Sequence, residues 1–457
     1  MSAPAGSLRR VLSRRDLILY GLVILTPTAP YPVYGIVQQI SGGHAALAYL
    51  VAMVAVLFTA ASYGKMAASF PAAGSTYTYV RCSLSEYAGF LAGWLMILDY
   101  VLIPLVSVIF AALTAQRLIP SVPYAVWAVL FTVVLTLVNI PGIRVTARAS
   151  GVMMAIMSAC AVLFLVLAVR YIVAMHGWSA LLDRSAVYRP ETFATGPLLL
   201  GAGVSALSYI GFDAISTLAE DTVTPEKNIG FATVLVCIIQ AAICVVTVYF
   251  AAVVWPDYRS FPQTETAILD IGSRIGGAWM FGFLTFVLLV AGLASALTGQ
   301  AGASRLLYGM GRDGVISRRI FGYIHPRFST PTRGVYFMGL LCLAGIALAR
   351  FQVAVEMLNF GAFAGFILVN LSVIRHYFIR LRRRTGVEWF TNLLFPLLGA
   401  AFCTYLWIHL SSNAKIAGFA WLLAGVVYLA IITKGFRRLP ARMESLNAAA
   451  SAGAHEK

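Results

Sequence analysis

Twelve long apolar segments divide this 457-residue chain, and its lysines and arginines collect in every second gap between them. The segments lie near 16–40, 45–69, 86–118, 123–141, 148–175, 197–220, 229–255, 276–308, 334–350, 353–377, 389–411 and 414–434. A helix rises 1.5 Å per residue, so about 20 apolar residues cross the roughly 30 Å hydrocarbon layer of a bilayer. The segments reach or approach that length, which predicts an all-α integral membrane protein with twelve transmembrane helices. Charged residues are only 11% of the chain, against 60% hydrophobic, too little charge to cover a soluble domain of this size.

The alternation of charge sets the expected orientation. Of the 33 lysines and arginines, 25 fall in the amino-terminal tail, the even-numbered gaps and the carboxy-terminal tail. Basic residues stay on the cytoplasmic side of a membrane. Both termini are therefore expected in the cytoplasm, as tails 1–15 and 435–457 flanking a single transmembrane domain, 16–434, in the cell inner (plasma) membrane. The net charge of +16 follows from this topology and does not point to nucleic acid. The cluster Arg380, Arg382, Arg383 and Arg384 is placed to meet anionic lipid head groups. The first apolar run lacks the small-residue cleavage site of a signal peptide. The six cysteines are scattered, with no CxxC spacing and no pairing with histidines, so no metal, disulfide framework or cofactor is expected.

Inside the apolar segments, two runs stand out. The first segment carries Thr26, Pro27, Thr28, Ala29, Pro30, Tyr31, Pro32, Val33, Tyr34 and Gly35. Three prolines remove three N–H donors and clash with the preceding turn. The sixth carries Ser208, Tyr209, Ile210, Gly211, Phe212 and Asp213. Backbone that leaves the helix at membrane depth must be enclosed by protein or line a wet cavity. The two runs are five helices apart, and five is odd, so helices one to five and six to ten would form halves of opposite topology. Interrupted spans at matching places in inverted halves mark the midplane site of a secondary transporter. On this reading repeat one covers about 16–175, repeat two about 197–377, and helices eleven and twelve about 389–434.

Acids sit in the same apolar surroundings. Asp99 lies halfway along the third segment, Asp213 in the sixth-segment run, Glu220 two turns later beside Asp221, and Glu356 near the outer end of the tenth. No lysine or arginine is expected at comparable depth. A carboxylate at the bilayer centre costs about 2.5–3.5 kcal/mol on insertion scales, so Asp99, Asp213 and Glu220 are candidate proton carriers, and the first two are candidate anchors for an ammonium group. The run from Gly309 to Gly314 matches GxGxxG but follows an apolar helix rather than a strand, which argues against dinucleotide binding. Gly89 and Gly93 form a GxxxG suited to close helix packing within the chain, or to a homodimer.

Several longer strings are similar to a known superfamily. Phe70 to Tyr79 resembles the first cytoplasmic loop of the amino acid–polyamine–organocation transporters. Ser208 to Asp213, Ala219 to Asp221 and Pro225 to Ile229 resemble their sixth helix and its exit, and Ser304 to Gly314 with Thr330-Pro331 their eighth-helix exit. Leu25-Thr26-Pro27, Tyr34 to Val37, Ser62 to Lys65, Leu98-Asp99-Tyr100 and Phe321 to Pro326 resemble, within it, the bacterial putrescine importers. The resemblance implies a leucine-transporter-like fold of five-plus-five inverted repeats with two further helices, and alternating access driven by protons or by exchange. It also marks departures. Prolines replace the glycine pair that in many amino acid permeases holds a substrate carboxylate. Ala29-Pro30-Tyr31-Pro32 lacks the acid that putrescine importers tend to show there. The position of a lysine in some proton-coupled relatives is Met157, and the sixth-helix aromatic gate is Leu207.

The expected function is import of a polyamine such as putrescine, or of an amino acid, with the proton as coupling ion. Tyr31, Tyr34, Asp99, Tyr100, Leu207, Tyr209, Gly211, Phe212 and Asp213 are expected to line the substrate site. An amino acid permease or amine exchanger without polyamine specificity is the nearest alternative. A channel would pass solute without saturation, and a nutrient sensor would add a sizeable soluble domain. A membrane enzyme would need a convergent nucleophile and base or a metal cluster, which the six scattered histidines do not supply.

Overall fold

The computed structural model describes residues 10–436 except 73, 263, 265–266, 349–350 and 411. Most of both expected tails, 1–9 and 437–457, and the side chain of Glu356 lie outside the described residues. Among the described residues the chain is helical throughout, with one isolated bridge pair, Leu12 with Thr222, and no strand. The first apolar segment is two helices, α1 (Arg14–Leu25) and α2 (Tyr34–Ile40). They are followed by α3 (Ala45–Ser69), α4 (Ser75–Ser83), α5 (Glu86–Leu118), α6 (Tyr124–Asn139) and α7 (Ile143–His176). The second half runs through α8 (Thr195–Ala206), α9 (Pro225–Val254), α10 (Ala267–Arg312), α11 (Arg318–Phe321), α12 (Thr332–Leu348) and α13 (Phe351–Val373). It ends with α14 (Val387–Trp389), α15 (Phe395–Ile408) and α16 (Ser412–Ile432). Nine helices among the described residues are long and apolar enough to cross a membrane.

Two elements differ from the sequence expectation. The stretch 70–85, expected as a loop, contains α4, a short polar helix that packs on the start of α5. The eighth segment begins nine residues earlier than expected, because α10 is bent at Gly277, whose φ of 72° only glycine adopts without strain. The residues before that bend form a separate arm, Ala267 to Gly276.

Small residues set the closest helix crossings. A Cβ on Gly64 of α3 or Gly230 of α9 would lie 3.0 Å from the other glycine's Cα, so these backbones meet without side chains between them. Lipid tails are as apolar as leucine, and such contact packing replaces the hydrophobic drive available in water. Gly89 faces the backbone of Arg81 on α4, and Gly93 faces Tyr77 and Met310, so the GxxxG pair is used inside the chain. On α5 and α16, Trp94 and Trp421 stack at 4.7 Å, and each indole N–H donates to the other's carbonyl, at 2.8 and 2.9 Å. The outward side of α16 exposes Ile416, Phe419, Leu423, Val427 and Ile431, an unbroken apolar stripe at helical spacing that suits hydrocarbon and not water.

Candidate functional site

The first interruption follows from its prolines. Thr26 leaves the helix at φ 54°, ψ 123°, and the chain then closes successive tight turns. Ala29 N–H donates to Thr26 O at 2.9 Å, Tyr31 N–H to Thr28 O at 3.0 Å and Val33 N–H to Pro30 O at 3.3 Å. Ala29 and Tyr31 sit between prolines and Val33 just after one, so the segment satisfies itself locally where a helix would leave carbonyls open. The helix that leads into it is pinned to α10: Tyr20 Oη donates to Thr298 O at 2.7 Å, and Ser295 Oγ to Ile24 O at 3.3 Å.

The sixth-segment run is also interrupted. After α8, Leu207–Tyr209 forms one 3-10 turn, Ile210 is extended (ψ 132°), and Gly211 is left-handed at φ 114°. A ten-residue 3-10 helix, Phe212–Asp221, follows. Such helices rarely exceed three or four residues, and longer ones often mark hinges. Ser216 Oγ and Thr217 Oγ1 support it by donating to the carbonyls of Asp213 and Ala214, at 2.5 and 2.7 Å. A Cβ on Gly211 would meet only ordinary contact with Ile24, at 3.4 Å, so its requirement is conformational. Gly211→Ala is expected to destabilise the fold by about 1–2 kcal/mol. Thermal unfolding in detergent checks this, and an unchanged midpoint would show that the left-handed turn is dispensable.

One side chain spans both interruptions. Gln240, fully buried on α9, directs Nε2 to Thr26 O at 2.9 Å and to Ser208 O at 3.4 Å. Ser208 Oγ reaches in turn to Ala29 O at 3.4 Å. The two broken helices are thereby held against each other by polar contacts through α9. Sequence reasoning missed Gln240, although a lone glutamine in the apolar run 229–255 was a usable signal. Gln240→Leu keeps the volume and removes both donations, each worth about 1 kcal/mol. The variant is expected to unfold at a lower temperature than the wild type, and equal midpoints would mean that the two carbonyls find other donors.

Next to the sixth-segment interruption the structure brings Asp99, Tyr100, Phe212 and Asp213 together. Both aspartates are fully buried. Tyr100 Oη donates to Asp213 Oδ2 at 2.6 Å. Asp213 Oδ1 and both carboxylate oxygens of Asp99 have no hydrogen-bond partner among the described residues. Tyr63 and Phe366 pack on Phe212, their rings 5.5 and 5.1 Å from its own. Gly361 of α13 lets that helix press against α5 here, since a Cβ would fall 3.2 Å from Asp99 N. Buried acceptors without donors are costly.

The other expected residues lie elsewhere. Tyr31 turns its ring onto Phe164 of α7, at 5.6 Å, and Tyr34 turns toward Phe261, at 6.0 Å. Tyr209 donates to Tyr49 O at 3.3 Å and braces α3. Leu207 lines two cavities on the side of the interruptions away from the chain's N-terminal segment. Glu220 belongs to an ionic cluster beside that segment, where it pairs with Arg312. In the cluster Asp221 pairs with Arg305 at 2.7 Å, and Asp313 with Arg81 at 2.9 Å and Arg312 at 3.3 Å. Arg305 was expected in the gap after the eighth helix; it lies inside α10 instead and is buried. The backbone N–H groups of Val11 and Leu12 donate to Asp221 O at 2.8 and 2.9 Å, which fastens the start of the chain over this cluster. All six cysteines are free, and no metal-ligating cluster exists among the described residues.

Comparison with known proteins fits this arrangement. The profile of the amino acid permease family matches residues 33–432. The low-affinity putrescine importer PlaP of Escherichia coli K12 is 33% identical over 94% of this chain and 95% of its own. The branched-chain amino acid permease BcaP of Bacillus subtilis is 25% identical over 95% of both chains. The methylthioribose transporter of Bacillus subtilis is 27% identical over 93% of this chain and 92% of its own.

Proposed function

This chain belongs to the amino acid permease family, a family of membrane transporters and not of enzymes, and from that premise we propose that it imports a cationic amine, putrescine or a close relative, by proton-coupled alternating access. The observation that carries the amine reading is the acid pair: three of the four oxygens of Asp99 and Asp213 are buried without a hydrogen-bond partner among the described residues, beside the sixth-segment interruption. An ammonium group supplies three donors and a positive charge, and charge-assisted bonds are about twice as strong as neutral ones. A free amino acid would bring a carboxylate as well, which repels this pair and meets a first interruption stripped of N–H donors by Pro27, Pro30 and Pro32. The similarity to a putrescine importer points the same way.

The architecture proposed is twelve spans in five-plus-five inverted repeats with two further helices. Nine long apolar helices, the shorter Tyr124–Asn139 and Thr332–Ile346, and the split first segment support that number. The matching interruptions support the repeat. The charge alternation supports cytoplasmic termini in an inner membrane, and the ionic cluster at the N-terminal segment then closes the cytoplasmic side. Two carboxyls in one enclosure can hold one ammonium and one proton between them, which gives Asp99 and Asp213 the coupling role. Glu220, committed to Arg312, serves closure. Growth of a host without polyamine carriers on putrescine as sole nitrogen source tests the substrate, and an imposed inward proton gradient tests the coupling. Growth only on neutral amino acids would favour an amino acid permease or exchanger, and a rate indifferent to the gradient would remove the proton.

A further inference from the structure

Two cavities of about 180 and 170 Å3 lie beyond the interruptions, on the side away from the ionic cluster. The second reaches Ile24 and Ile210, the residues at the two breaks, together with Ile103, one turn along α5 from Asp99. The cavities share Leu207 and Asn359 as a common wall. Asn359 of α13 is 6% exposed, and its Oδ1 has no hydrogen-bond partner among the described residues. A buried amide oxygen in that condition costs stability unless it has a use. Its position relative to Asp99 is fixed, because Gly361, two residues along α13, is pressed against α5 with a Cβ distance of 2.6 Å to Leu95 O and 3.2 Å to Asp99 N. Leu358 packs with Leu98 and Leu102, so Asn359 stands toward the cavity side of the acid pair.

Two sets of buried acceptors without partners among the described residues thus stand near one another, Asp99 with Asp213 and then Asn359 Oδ1, and Ile24, Ile103 and Ile210 line the cavity that Asn359 enters. A ligand matching this pattern has two donor ends joined by an apolar chain. A carboxylate end has no donor to offer Asn359 Oδ1. We propose that Asn359 is the outer anchor of the site: while the acid pair holds one ammonium of an α,ω-diamine, Asn359 Oδ1 accepts a hydrogen bond from the other. This rests on the amine reading above and adds to it the residue that holds the second ammonium.

The test compares 1,4-diaminobutane with butylamine, which has the same chain and one ammonium, as inhibitors of labelled diamine uptake into proteoliposomes. The wild type is expected to bind the diamine more tightly. Asn359→Leu keeps the volume and removes the acceptor. It is expected to weaken diamine binding about tenfold, the loss of one bond to a charged group, while butylamine inhibits as in the wild type. Retained butylamine inhibition also reports an intact fold. Should the leucine variant bind neither amine, Asn359→Ser, whose shorter side chain cannot reach the outer ammonium, takes its place with the same expected loss of preference. A diamine-to-monoamine ratio unchanged in the folded variant overturns the role of Asn359 and leaves the amine reading standing. A wild type inhibited by neither amine overturns both.

Discussion

Replacing Asp99 by asparagine is expected to raise the KM for amine uptake by about 10- to 100-fold with little loss of folded protein. The side chain keeps its shape, so the packing of α5 against Gly361 is preserved. What goes is the charge, and hydrogen bonds to charged groups contribute about 1.5–3 kcal/mol, with 1.4 kcal/mol per factor of ten. The effect should concentrate in apparent affinity, because the Asp99 carboxylate has no hydrogen-bond partner among the described residues whose loss would loosen the fold. Asp213 makes the contrast. It accepts from Tyr100 at 2.6 Å, so Asp213→Asn removes part of a structural contact as well and should lower both stability and transport. Uptake kinetics on the two variants, with unfolding midpoints measured alongside, check this. Unchanged affinity and unchanged pH dependence in Asp99→Asn would remove that residue from the site.

The second large effect is expected at Arg305. It and Asp221 are each about 2% exposed and pair at 2.7 Å. Arg305 Nη1 also donates to Ala301 O at 3.1 Å. Removing one member of such a pair leaves an uncompensated buried charge, at a cost of about 3–5 kcal/mol. Arg305→Met should therefore lose most of its folded yield in detergent, and whatever folds should unfold at a much lower temperature. The double variant Arg305→Met, Asp221→Leu should recover much of the difference, since replacing both partners with apolar groups removes the stranded charge. A single variant as stable as the wild type would mean that the pair contributes nothing to holding the sixth segment, α10 and the chain's start together.

The legible parts of this protein were those written in one dimension. Three prolines in ten residues announced the first interruption, and Gly211 beside Asp213 the second, because backbone chemistry acts on the residue that carries it. Helix lengths followed from apolar runs for the same reason. Contacts between distant helices were not legible. Asp99 and Asp213 stood out singly, but their meeting depends on α5 crossing the sixth segment. Tyr31 and Tyr34 were expected at the site for their nearness to the break, and that their rings pack on Phe164 and Phe261 could not be read from the sequence. Arg305 was counted with the loop charges near the end of the eighth segment, and its burial against Asp221 depends on where α10 meets the sixth segment, which the sequence does not display. α4 was hidden by its composition, since a nine-residue polar helix leaves no apolar run to count.

If the acid pair beside the sixth-segment interruption takes an amine, the protein must exchange that amine across a membrane. Counterflow tests it most directly: proteoliposomes carrying the purified protein and loaded with unlabelled putrescine are placed in trace labelled putrescine. Transient, saturable accumulation of label, suppressed by external putrescine and not by leucine, is the predicted result. Absence of accumulation with putrescine, or accumulation that leucine drives equally well from inside, would contradict it.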